Sequence, residues 1–489
     1  MIAVYHCQLA RSRHDGLSMN THSPALVWFR YDLRLDDHPA LVAAIESGAP
    51  VAGVFVLDPD SDGRPLGAAS RWWLHHSLKS LTDQLARLGV TLILRQGHSA
   101  TEIMSVAKEL NASAVFWNEG HTPWMTAQDH AVQEALKSQP IQGVMTRSGL
   151  MADPGAVRNK AGGRFRVFTP FWKTLSTLHP PHKPLDVPSQ IRPAQAPPTS
   201  GSNLRDLGLL PTSGPDWTQG LRDTWEPGED GAFQRLGHFL DGVIDDYATG
   251  RDFPDRAATS CLSAHLRFGE ISVRRIWDTT LGAVGEKGLK FLSEVGWREF
   301  NHHILFQHPS LHTEPLRPEF RRFPWQDDPK AFRLWCRGQT GYPIVDAGMR
   351  ELWHTGWMHN RVRMIVGSFL VKDLLVPWQK GEDWFWDTLV DACPANNPGN
   401  WQWVAGCGAD AAPFFRIFNP VLQGEKFDPA GAYVRRWVPE LRTRSARSVQ
   451  HPVDPDDLFA RSAYPPPIVN HGRARDRALA ALKALDTAT

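Results

Sequence analysis

At 489 residues the chain is longer than one hydrophobic core supports, because single cores stop growing at roughly 250–300 residues, so two domains are expected. A formal net charge of +1 gives no whole-molecule attraction for a polyanion; a nucleic-acid partner would have to be drawn by a local basic patch. Cys7, Cys261, Cys336, Cys393 and Cys407 contain no C-x-x-C pair, which speaks against a disulfide framework, a zinc site or an iron–sulfur cluster and fits a reducing cytoplasm with no metal.

Residues 1–22 are polar and aperiodic, with Met19 standing just before the first strand, and read as a disordered leader or an over-extended start. Their apolar stretch is too short for a secretion signal, and no run in the chain reaches the roughly 18–20 apolar residues that span a bilayer. No membrane partner is expected.

From residue 23 to 152 short apolar runs alternate with helical stretches: ALVWF from Ala25, VAGVFVL from Val51, VTLILR from Val90 and ASAVFW from Ala112, with SRWWLHHSLKSLTDQLARL between two of them. Alternating strand and helix predicts a parallel, doubly wound sheet. Such sheets bind ligands beyond the carboxyl ends of their strands. Here those ends carry Phe29 to Arg34, Asp58–Pro59 and Trp117 to Glu119. No G-x-G-x-x-G or Walker sequence is present, so a dinucleotide is not expected by the usual route. A smaller ligand and plain polar turns both remain open readings.

Residues 153–230 form an expected interdomain connector, rich in Pro, Gly and Trp around HPPHKPLDVPSQIRPAQAPPTSGSN. That is longer than the roughly 12–15 residues usual for a structureless loop, so the connector should wrap the surface or be partly mobile. Residues 231–480 read as helical. In NRVRMIVGSFLVKDLL, Val362, Ile365, Val366, Phe369, Leu370 and Leu374 recur at three- and four-residue steps and form a core face. Asn360, Arg363 and Met364 fall on another face, free to line a cavity. Residues 481–489 are read as a tail.

The densest stretch runs from Gly356 to Pro420, where Asn360, Arg361, Arg363, Asp391, Asn396, Asn397 and Asn400 are set among Trp357, Trp378, Trp401 and Trp403. Donors and acceptors mixed with aromatic faces suit a large, flat, polar ligand, and a bound cofactor is expected. Twenty tryptophans is heavy usage, and each buried indole N–H asks for a partner. Further upstream, Arg251-Asp252-Phe253-Pro254 leads to Thr259-Ser260-Cys261-Leu262-Ser263 before a helical run. Hydroxyls and free N–H groups at a helix start favour a phosphate, with simple helix capping as the alternative.

Taken together with Glu294-x-x-Trp297-Arg298-Glu299-Phe300, Trp325-Gln326, Gly341 to Asp346, Gly356 to Arg361, Asn400-Trp401-Gln402-Trp403 and Phe415 to Pro420, these motifs make the chain resemble the photolyase/cryptochrome family. The resemblance runs from about Ala25 to the YPPPIV segment near Tyr464. It implies an α/β N-terminal domain with a five-stranded parallel doubly wound sheet that holds an antenna, and an all-α C-terminal domain that binds FAD and DNA.

The family's residues carry over one by one as implications. Tyr247, Thr259, Ser260, Leu262 and Ser263 match phosphate-side positions. Arg298, Asn360, Arg363, Asp391 and Asn397 match positions around the flavin, with Asn397 facing N5 and Arg363 paired with Asp391. An arginine–carboxylate pair and amide dipoles hold a reduced, anionic flavin without giving it a proton. Trp401, Trp378 and Trp325 match an electron-transfer chain. Trp297 and Trp403 match the aromatic wedge against a flipped-out dimer, and Glu294 the carboxylate on the damaged base; these three, with Asn360 and Asn397, are the expected catalytic set. Arg251, Arg361, Met364 and Arg416 join Trp297 and Trp403 on the DNA side, although a solvated salt bridge is an alternative for the arginines.

Cys393 departs from the family, which commonly has a second Asp two residues after the position of Asp391. It is expected to be a small buried apolar residue, with a locally altered flavin contact. Asn360 and Met364 stand where (6-4)-type relatives place His as a general acid. The implied reaction is therefore light-driven repair of cyclobutane pyrimidine dimers, a deoxyribodipyrimidine photo-lyase activity on UV-damaged DNA, by a cytoplasmic monomer. A second, antenna chromophore is implied; methenyltetrahydrofolate is the first choice, although the Pro123-Trp124-Met125 helix lacks the Asn–Glu pair of folate-binding relatives, leaving deazaflavin, another flavin or no antenna open. The rival readings are a photosensory cryptochrome, which would carry a long C-terminal extension after Ile468-Val469, and a nucleotide-binding oxidoreductase, which would need a Gly-rich fingerprint.

Overall fold

The computed structural model describes residues 22–59, 63–195, 202–411, 415–446, 448–451 and 464–487; the expected leader lies outside them up to residue 21. Five parallel strands, β1 (Ala25–Phe29), β2 (Val51–Leu57), β3 (Leu92–Gln96), β4 (Ala114–Asn118) and β5 (Gln142–Thr146), pair in the order β3-β2-β1-β4-β5. The first four coincide with the apolar runs, because a parallel strand covered on both faces has no polar side to alternate with. Strand β5 is a half-exposed edge with the sequence QGVMT, too polar to stand out as a run.

The two faces of the sheet bury separate cores. Ala25, Val27 and Phe29 pack with Trp72, Trp73 and Leu78 of the Ala68–Arg87 helix, whereas Leu26, Trp28 and Val54 pack with Ile103 and Val132 of the helices on the other side. Since β1 lies mid-sheet and the chain winds outward to β2 on one side and to β4 on the other, the ends of β1 and β4 diverge and open a crevice.

The remainder of the structure is helical. Its largest core gathers Val362, Ile365, Val366, Phe369, Leu370 and Leu374, the expected periodic face, with Trp335, Trp378 and Trp401. The periodic run is not one continuous α-helix: Asn360–Ser368 is α-helical and Phe369–Asp373 widens into a π turn. Two segments differ from the sequence reading. The connector is largely built structure, with a helix at Phe168–Leu178 whose Phe171 and Leu175 pack against Phe300 and Ile304, and with Pro193 bridging to Val51 beside β2. The tail from residue 481 belongs to a helix over His471–Thr487, whose Ala478, Ala481 and Leu485 enter the large core. Neither helix stands out in the sequence, because Pro-rich flanks and short Ala-rich stretches carry little amphipathic signal.

The seam between sheet and helices is charged and buried. Arg34, 1% exposed, donates to the carbonyls of Asp36, Asp37 and Gly269 and to Ser148 Oγ at 2.8–2.9 Å. Asp36 pairs with Arg275 and Asp37 with Arg274, while the Glu229 carboxylate accepts from the backbone N–H groups of Leu35 and Asp36. Gly269 has φ +65, and a Cβ there would collide with the Tyr31 carbonyl, so only glycine lets the helical domain approach the end of β1 this closely. Arg34→Met leaves these acceptors buried without a donor and should destabilise the protein by about 3–5 kcal/mol. Urea unfolding checks this, and a midpoint equal to that of the unchanged protein would contradict it.

Candidate active site

The crevice at the ends of β1 and β4 continues into the helical domain as one cavity of about 1230 Å³, larger than the roughly 300–1,000 Å³ of a small-molecule pocket. Its walls include every residue assigned from the sequence to cofactor, catalysis or DNA: Tyr247, Arg251, Thr259, Ser260, Leu262, Ser263, Glu294, Trp297, Arg298, Asn360, Arg361, Arg363, Met364, Asp391, Asn397, Trp403 and Arg416. Trp401 of the electron-transfer set also reaches the wall, whereas Trp378 is buried behind it and Trp325 is half-exposed against Phe323. The indole meeting Trp401 edge-on, with ring centres 6.2 Å apart, is Trp335, which the sequence did not single out.

Arg363 and Asp391 form a two-pronged pair at 3.1 and 2.8 Å, and Arg363 Nε is tied to the Met358 carbonyl at 2.7 Å. Holding both ends of the guanidinium fixes the plane in which the pair faces the cavity. Asn360 opens its helix immediately after His359, whose ring Nδ1 accepts from the Arg361 N–H as the cap. Arg298 donates to the Gly149 carbonyl and to Glu299, each at 3.0 Å. Burial pushes the Glu299 carboxyl up to about 7 against the pull of Arg298.

Asn397 is oriented from behind. Its amide nitrogen donates to the Glu382 carbonyl at 3.0 Å and to the Glu382 carboxylate at 2.7 Å. Both partners are pure acceptors, so the nitrogen is identified by chemistry and the side-chain oxygen is left for the cavity. Glu382 is itself fully buried and paired with Arg64, which reaches over from the loop after β2 and lies on the Trp386 ring at 3.8 Å. Neither Arg64 nor Glu382 carried a sequence signal, because their link spans more than three hundred positions.

On the mouth side, Trp297 stacks on Phe168 with ring centres 3.8 Å apart and planes 9° from parallel, and Trp403 Nε1 donates to the Asp410 carbonyl at 3.0 Å. Glu294 is held by Arg251 and by Lys290, and Arg361 by Asp252 at 2.7 Å. Both Arg251 and Arg361 are thus ion-paired within the chain. The capping alternative for Thr259 and Ser260 does not hold: Leu262 occupies the cap position and no side chain caps that helix, while Thr259 Oγ1 lies 3.4 Å from the Cys261 sulfur. Cys393 is buried, as its apolar reading requires, with its sulfur 3.9 Å from His302 Nε2.

Three imidazoles line the cavity, and burial lowers all of them. His121 falls to about 4, His302 lies well below its ordinary value and His308 is lowered, each helped by a neighbouring arginine. At neutral pH they are uncharged and none is a ready proton donor. The sheet supplies Arg30, Asp32, Asn118 and Glu119 to the same cavity. Arg30 is anchored by Asp129 and the Asn118 carbonyl, and Asn118 Nδ2 donates to Asp32 at 2.6 Å. An aromatic-walled cavity with a fixed guanidinium–carboxylate pair, a forward-facing amide oxygen and a hydroxyl cluster at one end fits FAD.

Comparison with known proteins agrees with this fit. The family model for the FAD binding domain of DNA photolyase matches residues 291–484, and that for DNA photolyase matches residues 25–189. A deoxyribodipyrimidine photo-lyase of Agrobacterium fabrum is 47% identical over 485 residues, covering 97% of this chain and all of the relative. The crystal structure of a bacterial class III photolyase from Agrobacterium tumefaciens superposes with a TM-score of 0.89 at 46% identity, covering 97% of this chain and 100% of that one. Cryptochrome-1 of Arabidopsis thaliana is 37% identical, covering 94% of this chain and 70% of the relative.

Glu382→Gln keeps the shape behind Asn397 but puts a competing donor there. It should turn the Asn397 amide and move the midpoint potential of bound FAD by roughly 40 mV, the one-electron equivalent of one hydrogen bond of about 1 kcal/mol. An unchanged potential would show that Glu382 does not orient Asn397.

Proposed function

The chain belongs to the DNA photolyase family, and on that premise we propose that it repairs cyclobutane pyrimidine dimers in DNA with light, acting as a deoxyribodipyrimidine photo-lyase. The observation that carries the reading is that a single cavity joins the Arg363–Asp391 pair and the Asn397 oxygen to the walls formed by Trp297 and Trp403. Reduced FAD, once bound and excited by near-UV or blue light, supplies the electron that opens the two cyclobutane bonds and takes it back.

The chain's residues bind, orient and exclude. Tyr247, Thr259, Ser260, Leu262 and Ser263 are assigned to the phosphates, and Arg298, Asn360, Arg363, Asp391 and Asn397 to the flavin ring. Trp297 and Trp403 offer flat apolar faces to a dimer turned out of the helix; stacking of about 1–3 kcal/mol per base offsets much of the few kcal/mol that flipping costs. Glu294 is assigned to the damaged base, which would share the carboxylate with Arg251. The uncharged imidazoles, with Asn360 and Met364, provide no general acid, which suits a dimer whose opening needs only an electron delivered and returned. Trp325, Trp378 and Trp401 are assigned to conducting an electron inward from the surface.

A second, light-gathering chromophore is assigned to the sheet end of the cavity, beside Arg30, Asn118 and Glu119; a folate, a deazaflavin and a flavin all remain candidates for it. No helix among the described residues is long and apolar enough to cross a membrane. Monomeric, cytoplasmic action completes the reading.

Purified, reduced protein mixed with a dimer-containing oligonucleotide should lose dimer under blue light and keep it in the dark; equal dimer content in both samples refutes the function. Trp401→Phe should abolish photoreduction of the isolated, oxidised protein while leaving FAD bound, and undiminished photoreduction would remove Trp401 from the electron path. Trp297→Ala should weaken binding to dimer-containing DNA by about 1–3 kcal/mol, or roughly 5- to 150-fold, as measured by fluorescence anisotropy.

A further inference from the structure

Of the arginines assigned to DNA from the sequence, Arg251 and Arg361 are neutralised by Glu294 and Asp252. A protein of net charge +1 still has to attract a polyanion, and of the three assigned arginines only the exposed Arg416 lacks a carboxylate partner among the described residues, so further cations are needed. Between Asp153 and Asp186 the chain has no acidic residue and six cations, Arg158, Lys160, Arg164, Arg166, Lys173 and Lys183. Arg158, Lys160, Arg164 and Arg166 are exposed, and none of the four makes an ion pair among the described residues.

The segment is built rather than loose. Asn159 closes a tight loop, its backbone N–H donating to the Gly163 carbonyl and its side-chain oxygen accepting from the N–H groups of Ala161 and Gly163 at 2.9–3.0 Å. Gly162 turns that loop at φ +78. Phe165 is buried and its N–H donates to His303 at 3.1 Å, while Arg164 lies 4.7 Å from the centre of the Phe306 ring. Arg166 and Val167 line the cavity itself, so the basic segment borders it.

The segment is also fastened to both tryptophans assigned to the lesion. Phe168 stacks on Trp297. Asp410, whose carbonyl accepts from Trp403, donates its own N–H to the Arg166 carbonyl at 3.0 Å and accepts the Phe168 N–H at 3.4 Å.

We propose that the Arg158–Arg166 segment, read from the sequence as part of the interdomain connector, is the surface that grips DNA phosphates flanking the lesion and sets the register in which a dimer meets Trp297 and Trp403. Guanidinium and ammonium groups that are exposed, lack a carboxylate partner among the described residues and are held on a built loop neutralise phosphates at little cost, since Arg158 has only the Gly162 carbonyl at 3.1 Å and Arg164 only the Phe306 ring to give up. The inference rests on the repair function for the identity of the polyanion.

The test uses FAD-loaded protein carrying Arg158→Gln, Lys160→Gln and Arg164→Gln, with retained FAD absorbance as the check on folding. Binding to a dimer-containing duplex is followed by anisotropy across a salt series. Each lost phosphate contact lowers the slope of log K against log salt by about 0.9, so the triple variant should lose roughly 2.7 of slope and bind more weakly at low salt. A comparison variant, Lys79→Gln with Lys137→Gln on helices of the sheet domain, should keep the full slope. An unchanged slope in the triple variant overturns the inference and leaves the repair reading standing. Failure of the unchanged protein to bind dimer-containing DNA overturns both, and equal binding of dimer-containing and intact DNA by the unchanged protein counts against the repair reading alone.

Discussion

The buried charged seam between sheet and helices is the constraint on which the cavity depends. Arg34 gives its donors to three carbonyls and a hydroxyl, Arg274 and Arg275 answer Asp37 and Asp36, and Glu229 closes the turn after β1 from the opposite side. Buried ions of this kind add little net stability over an apolar contact, but they are directional, and a shifted interface would strand several of them at once. The ends of β1 and β4 are thereby held against the helices at one fixed separation. Because the cavity is walled from both domains, its width is set by that seam and not by either domain alone.

The second cross-domain link has a narrower effect. Arg64 leaves the loop after β2, pairs with Glu382 and so determines which end of the Asn397 amide looks into the cavity. The same electrostatic logic runs through the rest of the site. Around the cavity Arg363, Arg251 and Arg361 are answered by Asp391, Glu294 and Asp252, whereas the exposed cations from Arg158 to Arg166 have no carboxylate partner among the described residues and are available to phosphates. The buried imidazoles of His121 and His302 settle into their neutral form.

Much of this was legible in the sequence. The apolar runs located four of the five strands because strands covered on both faces are continuously apolar. The three- and four-residue steps from Val362 to Leu374 separated a core face from the face bearing Asn360, Arg363 and Met364. Less visible were features whose physics is not periodic. Strand β5 is an edge, the Phe168–Leu178 helix sits amid Pro-rich sequence, and the helix ending the chain is Ala-rich and resembled a tail. For Thr259 and Ser260 spacing alone left phosphate binding and helix capping both open; the chain enters that helix through Leu262, and both residues line the cavity.

By itself the sequence determined the two-part construction and, through the order of its motifs, the family and its FAD cofactor; the residues proposed for flavin, electron transfer and lesion follow from that resemblance. Only the tertiary structure decided which charges are already spent, Arg251 on Glu294 and Arg361 on Asp252, which way the Asn397 amide points, and that the acid-free stretch between Asp153 and Asp186 reaches the cavity through Arg166. Those outcomes depend on partners separated by as many as three hundred residues, and charge compensation is a property of distance in space, to which spacing along the chain gives no access.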